Sequence, residues 1–258
     1  TIECVDVLIE SDRINKIAPS ISVKNHEIID LDGAYLLPGV IDDQVHFREP
    51  GLTHKGTIYS ESRAAVAGGI TSFMEMPNTK PSVLTQDLLE DKFNIGRRDS
   101  IANFSFFMGV SNDNINDVLK TDFSKVPGLK IFMGSSTGDM LVDNFQVLNN
   151  IFSNAEGLIA VHCEDEATIR HNMQKAKEKY GDNVPMHEHH NIRSYDACFK
   201  SSSLAVELAK KHNSRLHVLH ISTEKELELF NNELALNEKK ITSEVCIHHL
   251  SFTDKDYS

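Results

Sequence analysis

The chain has 258 residues, 40% hydrophobic and 25% charged, so it can bury a sizeable core and has the composition of an ordinary globular protein. Its net charge of −12 opposes binding to nucleic-acid phosphates or to an anionic membrane, and no basic patch interrupts that charge. No apolar run approaches bilayer length, and the four widely spaced cysteines exclude a disulfide framework and favour a reducing cytoplasm.

The first 37 residues predict a small β element. Two short strands, Val5–Glu10 and Arg13–Ile17, are joined by a two-residue turn as in a hairpin, and a third strand is expected around Glu27–Leu31. We expect residues 1–37 to be part of a small β-sandwich domain and residues 38–258 to form a second domain.

From Gly39 onward, apolar strands alternate with amphipathic helices. The predicted strands are Gly39–Phe47, Thr71–Met76, Asn103–Gly109, Leu129–Phe132, Leu158–His162, Leu216–His220 and Ile241–Val245. Repeated βα units form a parallel sheet, and the sequence has neither GxGxxG nor GxxxxGK[ST] to support a nucleotide-binding open sheet. We therefore predict an α/β fold, a (β/α)8 TIM barrel, which is incomplete at its C-terminal end because Ser258 follows strand seven.

Two of the helices carry clear start signals. Ser194 is placed to cap a helix that continues to about Lys211. Thr223, with Glu226 three residues later, has the spacing of a capping box and predicts a helix that includes Leu234.

Three histidines and a lysine are expected to converge at the mouth of this barrel. The C-terminal ends of the strands carry the active sites of the fold. His46, His162, His220 and Lys130 all lie on these strands, and His162 and His220 are the last residues of theirs. Neutral imidazoles from separate strands suit a borderline cation such as zinc, whose catalytic sites keep one position open for water.

Lys130 needs its own explanation, because an apolar barrel wall disfavours its charged form and a dication would repel it. A neutral lysine amine can add carbon dioxide and become a carbamate, whose two oxygens can bridge two metal ions. Metal-bound water would then ionise with a pKa of roughly 7 and supply hydroxide for attack on an amide carbonyl.

Five segments closely resemble the dihydroorotases of the carboxylated-lysine branch of the amidohydrolase superfamily. They are PGVIDDQVHFREPGLTHKG, AGGITSFMEMPNTKP, KIFMGSSTG, VHCED and EVCIHHLSFTDKDY. The combination of HFREPG with MPNT is specific, and the resemblance covers essentially the whole chain. It implies a barrel of the metal-dependent hydrolase type that interconverts dihydroorotate and N-carbamoyl-L-aspartate in pyrimidine biosynthesis, and a homodimer.

The resemblance also implies a set of metal ligands. His46 corresponds to the second histidine of the HxH motif on strand one, Lys130 to the bridging carbamate, and His162 and His220 to the ligands of the more buried zinc. Gln44 stands where the first histidine of HxH is expected, and its amide oxygen is a weaker zinc ligand than imidazole. We therefore expect one or two zinc ions.

Arg48 and Asn78 correspond to the positions that hold the substrate carboxylate. A guanidinium group suits a carboxylate because it can donate two parallel hydrogen bonds. Considered alone, Arg48 could instead pair with Asp43 or Glu49, and Asn78 could be a turn residue. The general-base aspartate of these enzymes follows strand eight, so we expect it to lie beyond these 258 residues.

Two other functions remain open. A related cyclic amidase, such as a dihydropyrimidinase, hydantoinase or allantoinase, would share the lysine-type metal site and differ in the substrate pocket. The carboxylate-binding Arg48 disfavours a dihydropyrimidinase. A catalytically silent homologue with an assembly role is favoured by Gln44 and disfavoured by the remaining site residues.

Overall fold

The computed structural model describes residues 2–24, 26–134 and 139–257, so residues 135–138 of the KIFMGSSTG segment lie outside the described residues. Two compact units are present, Thr1–Gly39 and Val40–Ser258. In the first, strands β1 (Asp6–Glu10) and β2 (Arg13–Ala18) pair antiparallel, which confirms the predicted hairpin.

The third strand predicted around Glu27–Leu31 is wrong. No described residue of this unit pairs with that segment, and Ile28 and Ile29 are 80% and 76% exposed. The apolar run predicted a strand, but a strand forms only where a neighbouring strand accepts its backbone hydrogen bonds.

In the second unit, parallel strands follow one another in chain order. They are β3 (Val40–Val45), β4 (Ile70–Glu75), β5 (Asn103–Phe106), β6 (Met108–Gly109), β7 (Leu129–Phe132), β8 (Leu158–His162), β9 (Arg215–Val218) and β10 (Ile241–Ser243). Strands β3 to β5 form one sheet and β6 to β10 form another. The predicted strand Asn103–Gly109 is divided at Phe107, whose N–H donates to the carbonyl of Glu75, whereas the N–H of Met108 donates to that of Gly128. Within the described residues, β3 and β10 are not paired with each other.

Helices connect these strands. They are α1 (Ile58–Ala67), α2 (Gln86–Asp99), α3 (Ile115–Val118), α4 (Phe145–Asn154), α5 (Glu166–Tyr180), α6 (His189–Ile192), α7 (Tyr195–His212) and α8 (Ile247–Ser251), with 3₁₀ helices at Met186–Glu188, Glu224–Leu229, Leu236–Glu238 and Asp254–Tyr257. Among the helices that the structure describes, none combines the length and the apolar character needed to cross a bilayer.

The two helix-start predictions have different outcomes. Ser194 caps α7 by accepting a hydrogen bond from the N–H of Ala197, as predicted. The helix predicted from Thr223 is instead the short 3₁₀ helix Glu224–Leu229. The Thr223 hydroxyl donates to the Glu226 carboxylate at 2.8 Å and does not accept a backbone N–H, so the capping box does not form.

The position of the site follows from the alternation of side chains along the parallel strands. Ile159 and Val161 of β8 enter the main core, whereas Ala160 enters a smaller cluster on the opposite, inner face. Lys130 of β7 pairs in register with Ala160, and His162 lies two residues beyond it. Lys130 and His162 therefore share the inner face at neighbouring levels.

A buried ion pair fixes the end of β4 against α2. Glu75 Oε2 lies 3.1 Å from Lys92 Nζ, and both side chains are completely buried. Lys92 Nζ also donates to the carbonyl of Met76 at 2.9 Å, and Glu75 Oε1 accepts from the Arg48 N–H at 3.0 Å. Burial raises the pKa of Glu75 and lowers the pKa of Lys92, and their mutual attraction opposes both shifts.

Replacement of Lys92 by Met tests this pair. The variant leaves the buried carboxylate of Glu75 without a counter-charge, so we expect the free energy of unfolding to fall by about 3–5 kcal/mol in urea denaturation. The double variant Glu75→Leu/Lys92→Met removes both charges and should regain much of that loss.

The matched control is Arg97→Met, which breaks the exposed pair between Arg97 and Glu90. Exposed pairs contribute little, so its stability should stay close to wild type. An equal effect of Lys92→Met and Arg97→Met would contradict the assigned role of the buried pair.

Candidate metal centre

His162 and His220 form a close imidazole pair at the ends of β8 and β9. His162 Nδ1 lies 3.0 Å from His220 Nε2. Two nitrogens bound to one tetrahedral zinc at about 2.0–2.1 Å are separated by about 3.3 Å, so the observed pair is close to ligand spacing. Burial lowers the pKa of both rings, assisted by the charge of Lys130, and brings that of His220 to about 2. Both imidazoles are therefore neutral near pH 7, the form that binds metals.

A carboxylate and a guanidinium group fix the orientation of His162. Its Nε2 lies 2.8 Å from Glu164 Oε2. Because a carboxylate only accepts, the ring hydrogen is on Nε2 and the Nδ1 lone pair faces His220. Arg193 donates from Nε to Glu164 Oε1 at 2.7 Å and from Nη2 to Oε2. Burial by itself raises the pKa of Glu164, but the hydrogen bonds from His162 and Arg193 outweigh it and lower the pKa to about 2.

Lys130 is almost completely buried beside this pair, with 1% of its surface exposed. Its Nζ lies 4.4 Å from the centroid of the Phe132 ring. Desolvation lowers the pKa of this amine to about 7, against the opposing influence of Cys163 and of Glu244. A large fraction of Lys130 is therefore uncharged near neutral pH.

His46 lies near Lys130 but is held by Asn78. His46 Nδ1 is 2.8 Å from Asn78 Oδ1, and an amide oxygen only accepts, so Nδ1 carries the hydrogen and the Nε2 lone pair is free. Burial lowers the pKa of His46 to about 4, with contributions from the charges of Arg48 and Lys130. Among the described residues, His46 does not form a three-ligand group with His162 and His220.

Three predicted site residues lie just beyond their strands: His46 directly follows Val45, the last residue of β3, and Arg48 and His220 have positive φ. Strand β3 ends at Val45, so strand alternation does not place Arg48, which lies in a turn with φ of +73°. Strand β9 ends two residues before His220, whose φ is +41° and whose N–H donates to Glu244 Oε1 at 3.3 Å. The backbone geometry of Arg48 and His220, rather than the strand period, sets the direction of their side chains.

Gln44 does not join the imidazole pair. Its Oε1 accepts a weak hydrogen bond from Cys246 Sγ at 3.6 Å. Two further residues of the site, Glu164 and Arg193, are not among those predicted from the sequence. Glu164 could have been found, because it lies two residues after His162 in VHCED, but Arg193 is 29 positions from Glu164 and no local pattern connects them.

Comparisons with known proteins identify the family of this chain. Residues 33–173 match the family described as Dihydro-orotase-like. A protein named dihydroorotase from Methanosphaera stadtmanae is 31% identical over 98% of this chain and 58% of its own length. Another dihydroorotase, from Lactococcus lactis subsp. lactis, is 34% identical over the same two shares. The chain thus spans little more than half the length of these relatives.

Solved structures confirm the fold. The L-hydantoinase (dihydropyrimidinase) from Arthrobacter aurescens superposes with a TM-score of 0.89 at 25% identity, over 98% of this chain and 56% of that one. A D-hydantoinase structure has a TM-score of 0.80 at 22% identity, over 97% of this chain and 55% of that one. The α/β architecture is that of the TIM-barrel amidohydrolases, as predicted. With its matched family, its parallel strands and its paired imidazoles, the chain belongs to the dihydro-orotase-like family of metal-dependent amidohydrolases.

Proposed function

We propose that this chain carries the metal-binding and part of the substrate-binding machinery of a dihydroorotase, which interconverts dihydroorotate and N-carbamoyl-L-aspartate. One observation carries the proposal. Two neutral imidazoles with nitrogens 3.0 Å apart lie beside a buried lysine whose pKa is about 7. The similarity to proteins named dihydroorotase supports the choice of substrate.

The donor atoms suit zinc. His162 Nδ1 and His220 Nε2 would hold one ion, Lys130 as a carbamate would bridge it to a second, and His46 Nε2 would contribute to the second. Gln44 offers only an amide oxygen to that second position, so we propose one or two ions. A metal held by these residues would lower the pKa of a bound water to about 7 and would act as a Lewis acid toward the amide carbonyl.

The burial of Lys130 prepares it for carboxylation. A neutral amine attacks the carbon of carbon dioxide, forms an N–C bond and releases one proton, and the product is a carbamate anion. An ordinary exposed lysine is almost fully protonated at pH 7 and cannot react in this way. Lys130, with a pKa of about 7, retains enough neutral amine.

Arg48 and Asn78 would bind the substrate carboxylate. The Asn78 oxygen is engaged by His46, which leaves the amide NH₂ available as a donor. The Arg48 guanidinium acts on the pKa of His46, so it lies near the metal-binding groups. Together they provide a positive charge and a further donor beside the proposed ions, which is what a carboxylate-bearing cyclic amide requires.

A hydantoinase-like activity is the second candidate, and the TM-score of 0.89 to an L-hydantoinase favours it. The two substrates differ in the carboxylate that Arg48 would bind. A silent homologue kept for assembly is the third candidate; Gln44 supports it, whereas the neutral imidazole pair and Lys130 oppose it.

We further predict a homodimer and a cytoplasmic location. The four free cysteines support the cytoplasmic location.

The first test replaces Lys130 by Met, which keeps the length of the side chain and removes the amine. In the full-length protein, we expect turnover of dihydroorotate to fall to background and the zinc content to drop. Native mass spectrometry should detect an added carbon dioxide on the wild type and none on the variant.

Lys125→Met is the matched control, because this lysine is exposed and pairs with Asp122 in a surface turn. It should retain both activity and the added mass. If the single variants Lys130→Met and His162→Ala both kept full activity, the proposed site would be wrong.

The second test replaces Arg48 by Met. Loss of a hydrogen bond to a charged group costs about 1.5–3 kcal/mol, so kcat/KM for dihydroorotate should fall by about 10–100-fold. Turnover of hydantoin, which lacks the carboxylate, should change little. If both substrates lose activity equally, Arg48 does not bind the carboxylate; if the wild type hydrolyses only hydantoin, the second candidate replaces the first.

The third test replaces Glu164 by Gln. The amide can donate to His162 Nε2 as well as accept from it, so the ring tautomer is no longer fixed, and zinc affinity should fall by about 10–100-fold in a competition assay with a chelator. Zinc affinity equal to wild type would show that Glu164 does not orient the ring.

Metal-free protein gives an independent readout. The lowered pKa of Glu164 stabilises the folded state above the unfolded-state pKa, and this stabilisation disappears as pH falls toward about 2. The difference in unfolding free energy between wild type and Glu164→Gln should therefore be largest near neutral pH and shrink in acid.

A further inference from the structure

A second group of metal-ligating side chains lies on the strands next to the candidate centre. Asp43 of β3, His217 of β9 and Glu244, which follows β10, each offer one ligand atom, and the three atoms lie within 4.8 Å of one another. His217 Nε2 is 3.2 Å from Glu244 Oε2 and 4.0 Å from Asp43 Oδ2. The histidine and Glu244 side chains are each only 15% exposed.

A β-bulge brings Asp43 to this group. The register of β3 against β4 shifts between Asp42 and Val45. Regular alternation would send Asp43 to the same side as Val45, which is buried in the main core. A bulge redirects a side chain, and here Asp43 lies instead beside His217 and Glu244.

The imidazole of His217 has a partner that can prepare it for a cation. Its Nδ1 lies 2.8 Å from Thr242 Oγ1, on the neighbouring strand and in register with it. The hydroxyl can accept the Nδ1 hydrogen, which leaves the Nε2 lone pair directed at the two carboxylates. A hydrogen bond to the second ring nitrogen is the usual means by which metal-binding histidines are oriented.

The two carboxylates also need something between them. Carboxylate oxygens of Asp43 and Glu244 lie within 4.8 Å of each other, and two carboxylates so close repel unless a proton or a cation lies between them. Two carboxylate oxygens and one imidazole nitrogen are a donor set for zinc or another first-row divalent cation.

We propose that Asp43, His217 and Glu244 bind one divalent cation at a site separate from the His162 and His220 pair. This cation joins β3, which has only β4 as a backbone partner in the described part of the chain, to the opposite edge of the strand array. Because Glu244 Oε1 also accepts the N–H of His220, the same ion stabilises the backbone that carries a proposed catalytic ligand.

The test counts ions in the full-length protein after removal of metal with a chelator. In a His162→Ala/His220→Ala background, which lacks the first centre, titration with Zn²⁺ followed by calorimetry and elemental analysis should find one bound equivalent. Adding Asp43→Asn or His217→Gln should weaken this binding by about 10–100-fold or more.

Cys246→Ser is the matched control, because Cys246 with His248 and His249 is the other group with ligand atoms within 4.8 Å among the described residues. It should bind as the background does. No bound equivalent in the background, or equal affinity in all variants, would overturn the proposal. Loss of binding in Cys246→Ser alone would assign the ion to the other group and overturn it too.

If the double-alanine background does not fold, as judged by circular dichroism, the same count is made in the wild-type background. Asp43→Asn should then bind one equivalent less than the wild type, and equal counts would refute the site. Since ions are counted without turnover, the result does not depend on the proposed dihydroorotase activity.

Discussion

Removal from water is the constraint on which this site depends. An ionisable group buried at the strand ends must either lose its charge or be paired. Lys130 and His220 lose their charge, because burial lowers their pKa values to about 7 and about 2. Glu164 and Glu75 keep their charge because they are paired, Glu164 with Arg193 and Glu75 with Lys92. The neutral groups are the ones able to bind a metal or carbon dioxide, whereas the paired groups hold the structure around them.

The register of the parallel strands brings these buried groups together on one face. Lys130 pairs with Ala160 and Ala160 with His217, so one row of the inner face carries an amine and an imidazole, and His162 stands one level above that row. The strands supply the rows, but the turns after them supply the final direction. His220 lies in such a turn, where a positive φ and a hydrogen bond to a carboxylate set its direction.

The chain belongs to the dihydro-orotase-like family, whereas its structure superposes on hydantoinases, and these two comparisons favour different candidate substrates. The proposed metal ligand Lys130 lies on the inner face of the parallel strands. The proposed substrate-binding residues Arg48 and Asn78 lie in the loops after β3 and β4, close to His46. Gln44 and Asp43 are neighbours on β3 with different partners: Gln44 contacts Cys246, and Asp43 lies beside His217.

The sequence by itself determined the parallel strand order, including the strands Leu129–Phe132 and Leu158–His162. Short apolar runs between turn signals have few other ways to be buried. The sequence also identified the buried lysine and histidines. Only the tertiary structure decided which side chains hold one another. Arg193 reaches Glu164 from 29 positions away, and a bulge turns Asp43 toward His217 against the strand period. Local patterns encode burial and periodicity, whereas such pairings depend on how distant segments pack.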